Sequence, residues 1–260
     1  MRLLLVGCGK MGGAMLTAWA TQEIAELTVL DPNADPGVEG VAWARAPDDL
    51  TGRQFDVIVL AVKPQILDAA CVGLDALTAP DALVVSLAAG AAVSRLEAAF
   101  PDRAIIRLMP NLPATVGKAV CGLYANAQTS PDQRARAEAL ARATGEAFWL
   151  DDEDAIDRIT AVAGSGSGYV FEIARVYAQA AEGLGFPPAM ARALVLQTLD
   201  GAVALAKNAS DQSLEALRNA VTSPNGTTQA GLDALRRNGV LEQLFQDTLE
   251  AAYARAVELR

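Results

Sequence analysis

The chain contains no histidine among its 260 residues. This absence excludes a histidine base, a Ser-His-Asp triad and most zinc sites. The three cysteines, Cys8, Cys71 and Cys121, are an odd number without C-x-x-C spacing, which favours reduced thiols in a cytoplasmic protein. Basic residues are also scarce, with 21 Lys and Arg against 31 Asp and Glu, so nucleic acid and anionic membranes are poor partners.

Long apolar runs are lacking too, although 52% of the residues are hydrophobic. None approaches the ~18–20 residues that a membrane-spanning helix needs. The apolar start at residues 3–6 is cut short by Gly7 and Lys10, so we interpret it as a first strand and not as an export signal. We therefore expect a cytoplasmic protein with no membrane contact.

Short apolar runs alternate with helical patterns through the first half of the chain. The predicted strands are 2–6, 27–30, 56–62, 83–87, 104–109, 122–125 and 148–150, and the predicted helices are 12–22, 66–77, 93–100 and one opened by Ser130-Pro131. Several strands are continuous Val, Ile and Leu runs, as parallel strands covered on both faces require. The alternation predicts an α/β Rossmann-like doubly wound sheet over residues 1–150.

Strand signals end after Asp151, and long helical patterns follow. They cover residues 153–183, 188–207, 211–220, 228–238 and 240–259, which predicts an all-α helical bundle as a second domain, 151–260. The helix after Gly168 is polar only along one thin stripe, formed by Glu172, Arg175, Gln179 and Glu182. Such a helix needs cover on most sides, so we expect a homodimer through this domain, or a larger ring of dimers.

The first strand leads into a glycine-rich turn, Gly7-Cys8-Gly9-Lys10-Met11-Gly12. A G-x-G-x-x-G motif between a strand and a helix is typical of dinucleotide binding. Gly7 makes the tight turn, Gly9 lets a pyrophosphate approach the backbone, and Gly12 lets helix and strand pack closely. Alone, such a motif could be a structural turn, but the alternating α/β pattern favours the cofactor.

The second predicted strand ends in Asp31, roughly 20 residues past the glycines, where an acid typically accepts hydrogen bonds from the adenosine ribose. Its charge would repel a 2′-phosphate, and no Lys or Arg occurs from Asp31 to Ala44 to bind one. The coenzyme is thus NADH or NADPH, and the sequence favours NADH. The alternative for Asp31 is a plain Asp-Pro turn.

Four hydroxyl residues, Thr222, Ser223, Thr227 and Thr228, surround a Pro-Asn-Gly turn at 224–226. Gly226 permits a positive φ, and we expect Thr227 or Thr228 to cap the helix that follows. Hydroxyls and free N–H groups at the positive end of a helix dipole suit a small carboxylate or phosphate. An ordinary capped turn is the alternative.

The segment 221–232, V-T-S-P-N-G-T-T-Q-A-G-L, resembles the signature of pyrroline-5-carboxylate reductases, commonly V-T-S-P-G-G-T-T-x-A-G-L. Asn225 replaces the first glycine, and asparagine tolerates the left-handed backbone better than other side chains. Segments 61–64, 86–90 and 109–113 also match that family, so the resemblance covers nearly the whole chain.

This resemblance implies hydride transfer from NADH or NADPH to C5 of 1-pyrroline-5-carboxylate, the last step of L-proline biosynthesis. The implied substrate contacts are Ser223, Gly226, Thr227, Thr228 and Asp211, the last standing where the family often carries Glu. The resemblance sets Ala61, Val62, Lys63 and Pro64 beside the nicotinamide. Lys63 then faces either the substrate carboxylate or a cofactor phosphate, and Thr228 or a bound water passes the proton.

Two other classes are weighed against this one. A β-hydroxyacid dehydrogenase would share the layout but would carry a catalytic lysine in the helix that here reads Glu172-Ile173-Ala174-Arg175-Val176. A dinucleotide-sensing regulator without enzymatic activity would bind the cofactor but would lack the hydroxyl cluster at 222–228.

Overall fold

The computed structural model describes residues 1–22, 25–33 and 35–260. The chain divides into two compact units. The first unit comprises Met1–Ser167 together with Ala251–Arg260, and the second comprises Gly168–Glu250.

The first unit is built on one eight-stranded sheet with the order β3-β2-β1-β4-β5-β6-β7-β8. The strands are β1 (Arg2–Val6), β2 (Glu26–Leu30), β3 (Ala42–Ala44), β4 (Phe55–Leu60), β5 (Thr78–Ser86), β6 (Ala104–Met109), β7 (Ala119–Ala125) and β8 (Gly145–Trp149). Neighbouring strands are parallel except for β6 and β7, which are antiparallel. This architecture confirms the predicted doubly wound α/β fold.

Both faces of the sheet are buried, which explains the continuous apolar runs. Leu3 and Leu5 of β1 belong to one hydrophobic core, and Leu4 and Val6 belong to the core on the opposite face. Strand side chains alternate between faces, so a strand covered on both sides must be apolar at every position.

Helices between the strands cover the sheet: α1 (Lys10–Thr21), α2 (Leu67–Cys71), α3 (Val93–Ala99) and α4 (Pro131–Arg142). Helix α4 starts with a capping box in which Ser130 and Gln133 exchange hydrogen bonds. The helix predicted over 66–77 was too long, because Gly73 adopts a φ of +78° and the chain ends α2 before it.

Strand β3 was not predicted. It has three residues, and it forms because Thr28, Val29 and Leu30 of β2 pair with Ala42, Trp43 and Ala44. A pairing partner more than ten residues away along the chain supplies a strand that local pattern does not indicate.

The helices after β8 are α5 (Asp154–Ile159), α6 (Gly166–Gly183), α7 (Pro188–Asn208), α8 (Leu214–Ala220), α9 (Thr227–Leu235) and α10 (Val240–Glu258). The single helix predicted over 153–183 is interrupted by a π-helical turn at Thr160–Gly164. There the Ser165 N–H donates to the Thr160 carbonyl at 2.8 Å, and the Thr160 hydroxyl donates to the Ile156 carbonyl at 2.6 Å.

The compact units do not divide at Leu150, because α5 packs on β6 and β7. The end of α10 joins this packing: the Tyr253 hydroxyl donates to the Asp154 carboxylate at 3.0 Å, and Arg260 forms ion pairs with Asp154 and with the buried Asp157. A functional division into 1–150 and 151–260 therefore remains a proposal about roles and does not follow the packing units.

The second unit leaves much of its apolar surface uncovered. Helix α6 buries none of its residues, and Phe171 and Tyr177 on it are 63% and 48% exposed. In the described part of the chain, α7 is long and apolar enough to cross a membrane, by length and composition alone. Arg192 and Asp200 interrupt its apolar sequence. Only 11% of its most apolar 18 residues are buried within this chain. These helices need a further surface to cover them.

Candidate functional site

The glycine turn after β1 is held by contacts that a larger residue would disrupt. Gly7 has a φ of +89°, and its N–H donates to the Leu30 carbonyl at 2.9 Å. A Cβ atom on Gly7 would lie 2.8 Å from Val62 Cγ1, and one on Gly12 would lie 2.5 Å from the Gly7 carbonyl oxygen. Both glycines are therefore required by close packing, as the motif predicts.

The turn leaves room where a phosphate would bind. Gly9 is the N-cap of α1 and supplies no side-chain cap, and a Cβ built on it meets nothing within 4 Å. Lys10 and Met11 follow in the first turn of the twelve-residue helix, whose leading N–H groups point out of its positive end. Open space in front of free N–H groups fits a pyrophosphate.

Asp31 reaches the glycine turn directly. Its Oδ2 accepts the Cys8 N–H at 2.8 Å, and its Oδ1 accepts the Asn33 N–H at 2.9 Å. Burial, and then the charge of Asp31, raise the pKa of the Cys8 thiol. A thiol held in its neutral form is a small packing residue and not a reactive one.

A cavity of about 610 Å³ opens beside this turn. Its apolar wall includes Val62, Ile66 and Ala69, and its polar rim includes Asp31, Asn33 and Arg45. An apolar cavity with a few polar groups at its edge has the character of a nucleoside pocket. The carboxyl ends of β2, β3 and β4 meet here, where doubly wound sheets bind ligands.

The turn after β4 carries Ala61, Val62, Lys63 and Pro64. The Ala61 N–H donates to the Val6 carbonyl at 2.8 Å, which ties this turn to the end of β1. Lys63 is exposed and precedes a 3-10 turn at Pro64–Ile66, while Arg95 donates to the Pro64 carbonyl at 3.1 Å. The predicted cofactor residues 7–12, 31 and 61–64 thus converge on one end of the sheet.

The second predicted site is the turn before α9. Asn225 has a φ of +60°, which confirms the left-handed backbone expected of an asparagine in place of glycine. The Gly226 N–H donates to the Ser223 carbonyl at 3.0 Å, and a Cβ on Gly226 would overlap the Ser223 hydroxyl. Gly226 is therefore needed so that Ser223 can fold back against it.

The helix cap differs from the prediction. Gly226, and neither Thr227 nor Thr228, is the N-cap of α9, and its backbone accepts the Ala230 N–H at 3.1 Å. The two threonines are the first two helical residues, because Gly226 already takes the extended cap conformation. Thr222 is committed elsewhere, since its hydroxyl donates to the Arg218 carbonyl at 2.6 Å.

Three exposed hydroxyls, those of Ser223, Thr227 and Thr228, make no hydrogen bond within the described ranges 1–22, 25–33 and 35–260. They stand at the N-terminus of a nine-residue helix without a side-chain cap. Asp211 is exposed in the bend between α7 and α8, where Ser213 and not Asp211 caps α8. The predicted substrate residues Asp211, Ser223, Gly226, Thr227 and Thr228 all lie in the second unit.

Sequence reasoning missed Arg45 on the rim of the nucleoside cavity, and with it Trp43, the ring that Arg45 contacts. Arg45 follows β3, the strand that local pattern did not indicate, and its guanidinium carbon lies 4.8 Å from the Trp43 ring centroid. In the sequence, these two residues show only as a tryptophan two positions before an arginine. This pattern is too common to identify a binding site.

Three comparisons place the chain in a family. Residues 153–259 match the family model for pyrroline-5-carboxylate reductase dimerisation. The pyrroline-5-carboxylate reductase of Pseudomonas aeruginosa is 39% identical over 266 aligned positions, covering 99% of this chain and 96% of that one.

Solved structures agree over the full length. A pyrroline-5-carboxylate reductase from Coxiella burnetii superposes with a TM-score of 0.91 at 34% identity, covering 99% of this chain and 98% of that one. The Plasmodium falciparum pyrroline carboxylate reductase, solved with NADP bound, superposes with a TM-score of 0.87 at 25% identity, covering 100% and 98%. A full-length relative at 39% identity, the matched dimerisation model and these superpositions show that the chain belongs to the pyrroline-5-carboxylate reductase family.

Proposed function

We propose that this chain reduces 1-pyrroline-5-carboxylate to L-proline with NADPH or NADH as a cytoplasmic enzyme. Family membership supplies the reaction class, an oxidoreductase acting on a C=N bond. The observation that carries the residue-level proposal is the set of exposed hydroxyls at the start of α9 that find no partner in the described part of the chain.

The substrate offers one carboxylate and one cyclic imine. Ser223, Thr227 and Thr228 would donate hydrogen bonds to the carboxylate, and the free N–H groups of the first turn of α9 would add to them. Gly226 has no Cβ, which leaves room for the Ser223 hydroxyl to lie against the start of α9. Hydrogen bonds to a charged group are the stronger ones, so a few hydroxyls can hold a small anion.

The glycine turn and its surroundings fit the dinucleotide. Gly7, Gly9, Lys10, Met11 and Gly12 would hold the pyrophosphate, and Asp31 lies at the adenosine end. Ala61, Val62, Lys63 and Pro64 form the strand-end turn assigned to the nicotinamide half. When bound, the reduced nicotinamide supplies the hydride for C5 of the imine.

The remaining chemistry needs little from the side chains. A protonated iminium accepts hydride without a strong acid, so a chain without histidine can catalyse the step by positioning alone. Where a proton must move, Thr228 or a bound water carries it. Lys63, exposed and close to the cofactor turn, attracts the anionic substrate, and Asp211 faces its amine.

The chain carries the dimerisation domain of its family, and the assembly is a homodimer. The exposed apolar faces of α6 and α7 form the contact surface in our proposal. A ring of several dimers is the further assembly that we infer from the extent of uncovered surface in this unit.

The test is a spectrophotometric assay of NADPH and NADH oxidation by the purified full-length chain with pyrroline-5-carboxylate, beside a panel of β-hydroxyacids run in the oxidative direction. We expect turnover with the imine and none with the hydroxyacids. Turnover restricted to hydroxyacids would indicate a dehydrogenase instead, and dinucleotide binding without any turnover would indicate a sensor.

A further inference from the structure

Strand β3 brings Arg45 beside Asp31, although the two are well separated in sequence. The last registered pair of the two strands is Leu30 with Ala44, and the Asp31 N–H donates to the Ala44 carbonyl at 3.1 Å. The next residue on each strand, Asp31 and Arg45, therefore emerges at the same edge of the sheet. Both line the nucleoside cavity, together with Asn33.

The Arg45 side chain is held by an aromatic ring. Its guanidinium carbon lies 4.8 Å from the centroid of Trp43, within the range of a cation–π contact. Trp43 is fixed in turn, because its Nε1–H donates to the Asp31 carbonyl at 3.0 Å. The stack leaves the N–H edges of the guanidinium available, and a phosphate binds to those edges.

The nearby acids are engaged by backbone groups. Asp31 accepts one N–H on each carboxylate oxygen, from Cys8 and from Asn33. Asp49 accepts the backbone N–H groups of Arg45 and Ala46 on one oxygen, and these bonds, followed by the charge of Arg45, hold its pKa below the usual range. Within the described part of the chain the Arg45 guanidinium forms no ion pair, although Asp49 and the cavity residue Asp48 lie close to it in sequence.

We propose that Arg45 binds the 2′-phosphate on the adenosine of NADPH, and that Asp31 organises the glycine turn instead of selecting NADH. This assignment rests on the proposed dinucleotide site, and it makes NADPH the better coenzyme. The sequence favoured NADH because residues 31–44 contain no Lys or Arg, but Arg45 is the next residue.

The test separates the 2′-phosphate from the rest of the cofactor. Isothermal titration calorimetry on the full-length chain compares 2′,5′-ADP with 5′-AMP, for the wild type, Arg45→Gln and Arg53→Gln. Arg53 is the control for a lost arginine, since its guanidinium carbon lies 5.2 Å from the Phe55 ring centroid and pairs with Glu26 at 3.2 Å, outside the cavity. Arg45 is exposed, so its loss should leave the melting temperature near that of the wild type.

We expect the wild type and Arg53→Gln to bind 2′,5′-ADP more tightly than 5′-AMP by about 10- to 100-fold, as hydrogen bonds to a charged phosphate allow. In Arg45→Gln the two affinities should become nearly equal, with 5′-AMP binding unchanged. The advantage of 2′,5′-ADP should also shrink as salt is raised.

Equal affinities in the wild type, or an advantage that survives Arg45→Gln, would overturn the assignment while leaving a dinucleotide site in place. Failure of the wild type to bind either nucleotide would remove the site itself, and the proposed function with it. Imine reduction is not needed for any of these measurements, so the two failures are distinguishable.

Discussion

Replacing Thr228 by valine should disable substrate binding without disturbing the fold. Thr228 is the second residue of α9, it is exposed, and its hydroxyl has no partner in the described parts of the protein. Valine keeps the shape of threonine and has a similar helix propensity, so the melting temperature should move little. What disappears is one hydrogen bond to a carboxylate, which typically contributes ~1.5–3 kcal/mol.

That loss corresponds to a fall in kcat/KM for pyrroline-5-carboxylate of about 10- to 150-fold, measured at saturating coenzyme. Coenzyme affinity, followed by fluorescence titration, should stay at the wild-type value. Thr222→Val is the matched control, because its hydroxyl is committed to the Arg218 carbonyl and its loss should lower stability more than activity. A Thr228→Val enzyme with wild-type kcat/KM would remove this helix start from the substrate site.

Three further predictions follow from other contacts. Gly12→Ala should abolish dinucleotide binding, because the new Cβ would lie 2.5 Å from the Gly7 carbonyl oxygen; a wild-type dissociation constant would contradict this. At pH 8, iodoacetamide should label Cys8 more slowly than a free thiol, because the raised pKa of Cys8 keeps its thiolate fraction low. Asp31→Asn should speed the labelling, because it removes the charge that raises this pKa. Fast labelling of Cys8 in the wild type, found by peptide mapping, would refute the argument. Phe171→Asp, on the exposed face of α6, should shift the protein from dimer to monomer in light scattering, and an unaltered dimer would move the interface elsewhere.

The sheet was largely predictable, because its signal is local. Strands 2–6 and 104–109 have the predicted bounds, since a strand buried on both faces shows an unbroken apolar run that ends where the burial ends. The glycine turn was predictable from its motif, although the contacts that require Gly7 come from Ala61 and Val62 after β4.

The cavity beside the glycine turn was not predictable in the same way. Arg45 reaches it because it directly follows β3, and the three residues of β3 are too few to show a strand period. That strand forms because it pairs with β2, and the local sequence pattern does not indicate which distant residues will pair. Asp31 shows the same limit, because its carboxylate turns toward the Cys8 N–H, a direction that no count of residues from the glycines can give.

In the turn before α9, a threonine hydroxyl can either cap the helix or bind a ligand, but it cannot do both. The sequence predicted that Thr227 or Thr228 caps the helix, and the hydroxyl of a capping residue accepts a hydrogen bond from a backbone N–H. Gly226 takes the cap position instead and has no side chain to satisfy the first N–H groups. Among the residues that the structure describes, the Thr227 and Thr228 hydroxyls and the leading N–H groups of α9 therefore have no protein partner, and they lie together at the positive end of the helix. An anion bound there would restore hydrogen bonds that the bare helix start lacks, and this is why a glycine cap followed by two threonines suits a carboxylate better than a threonine cap would.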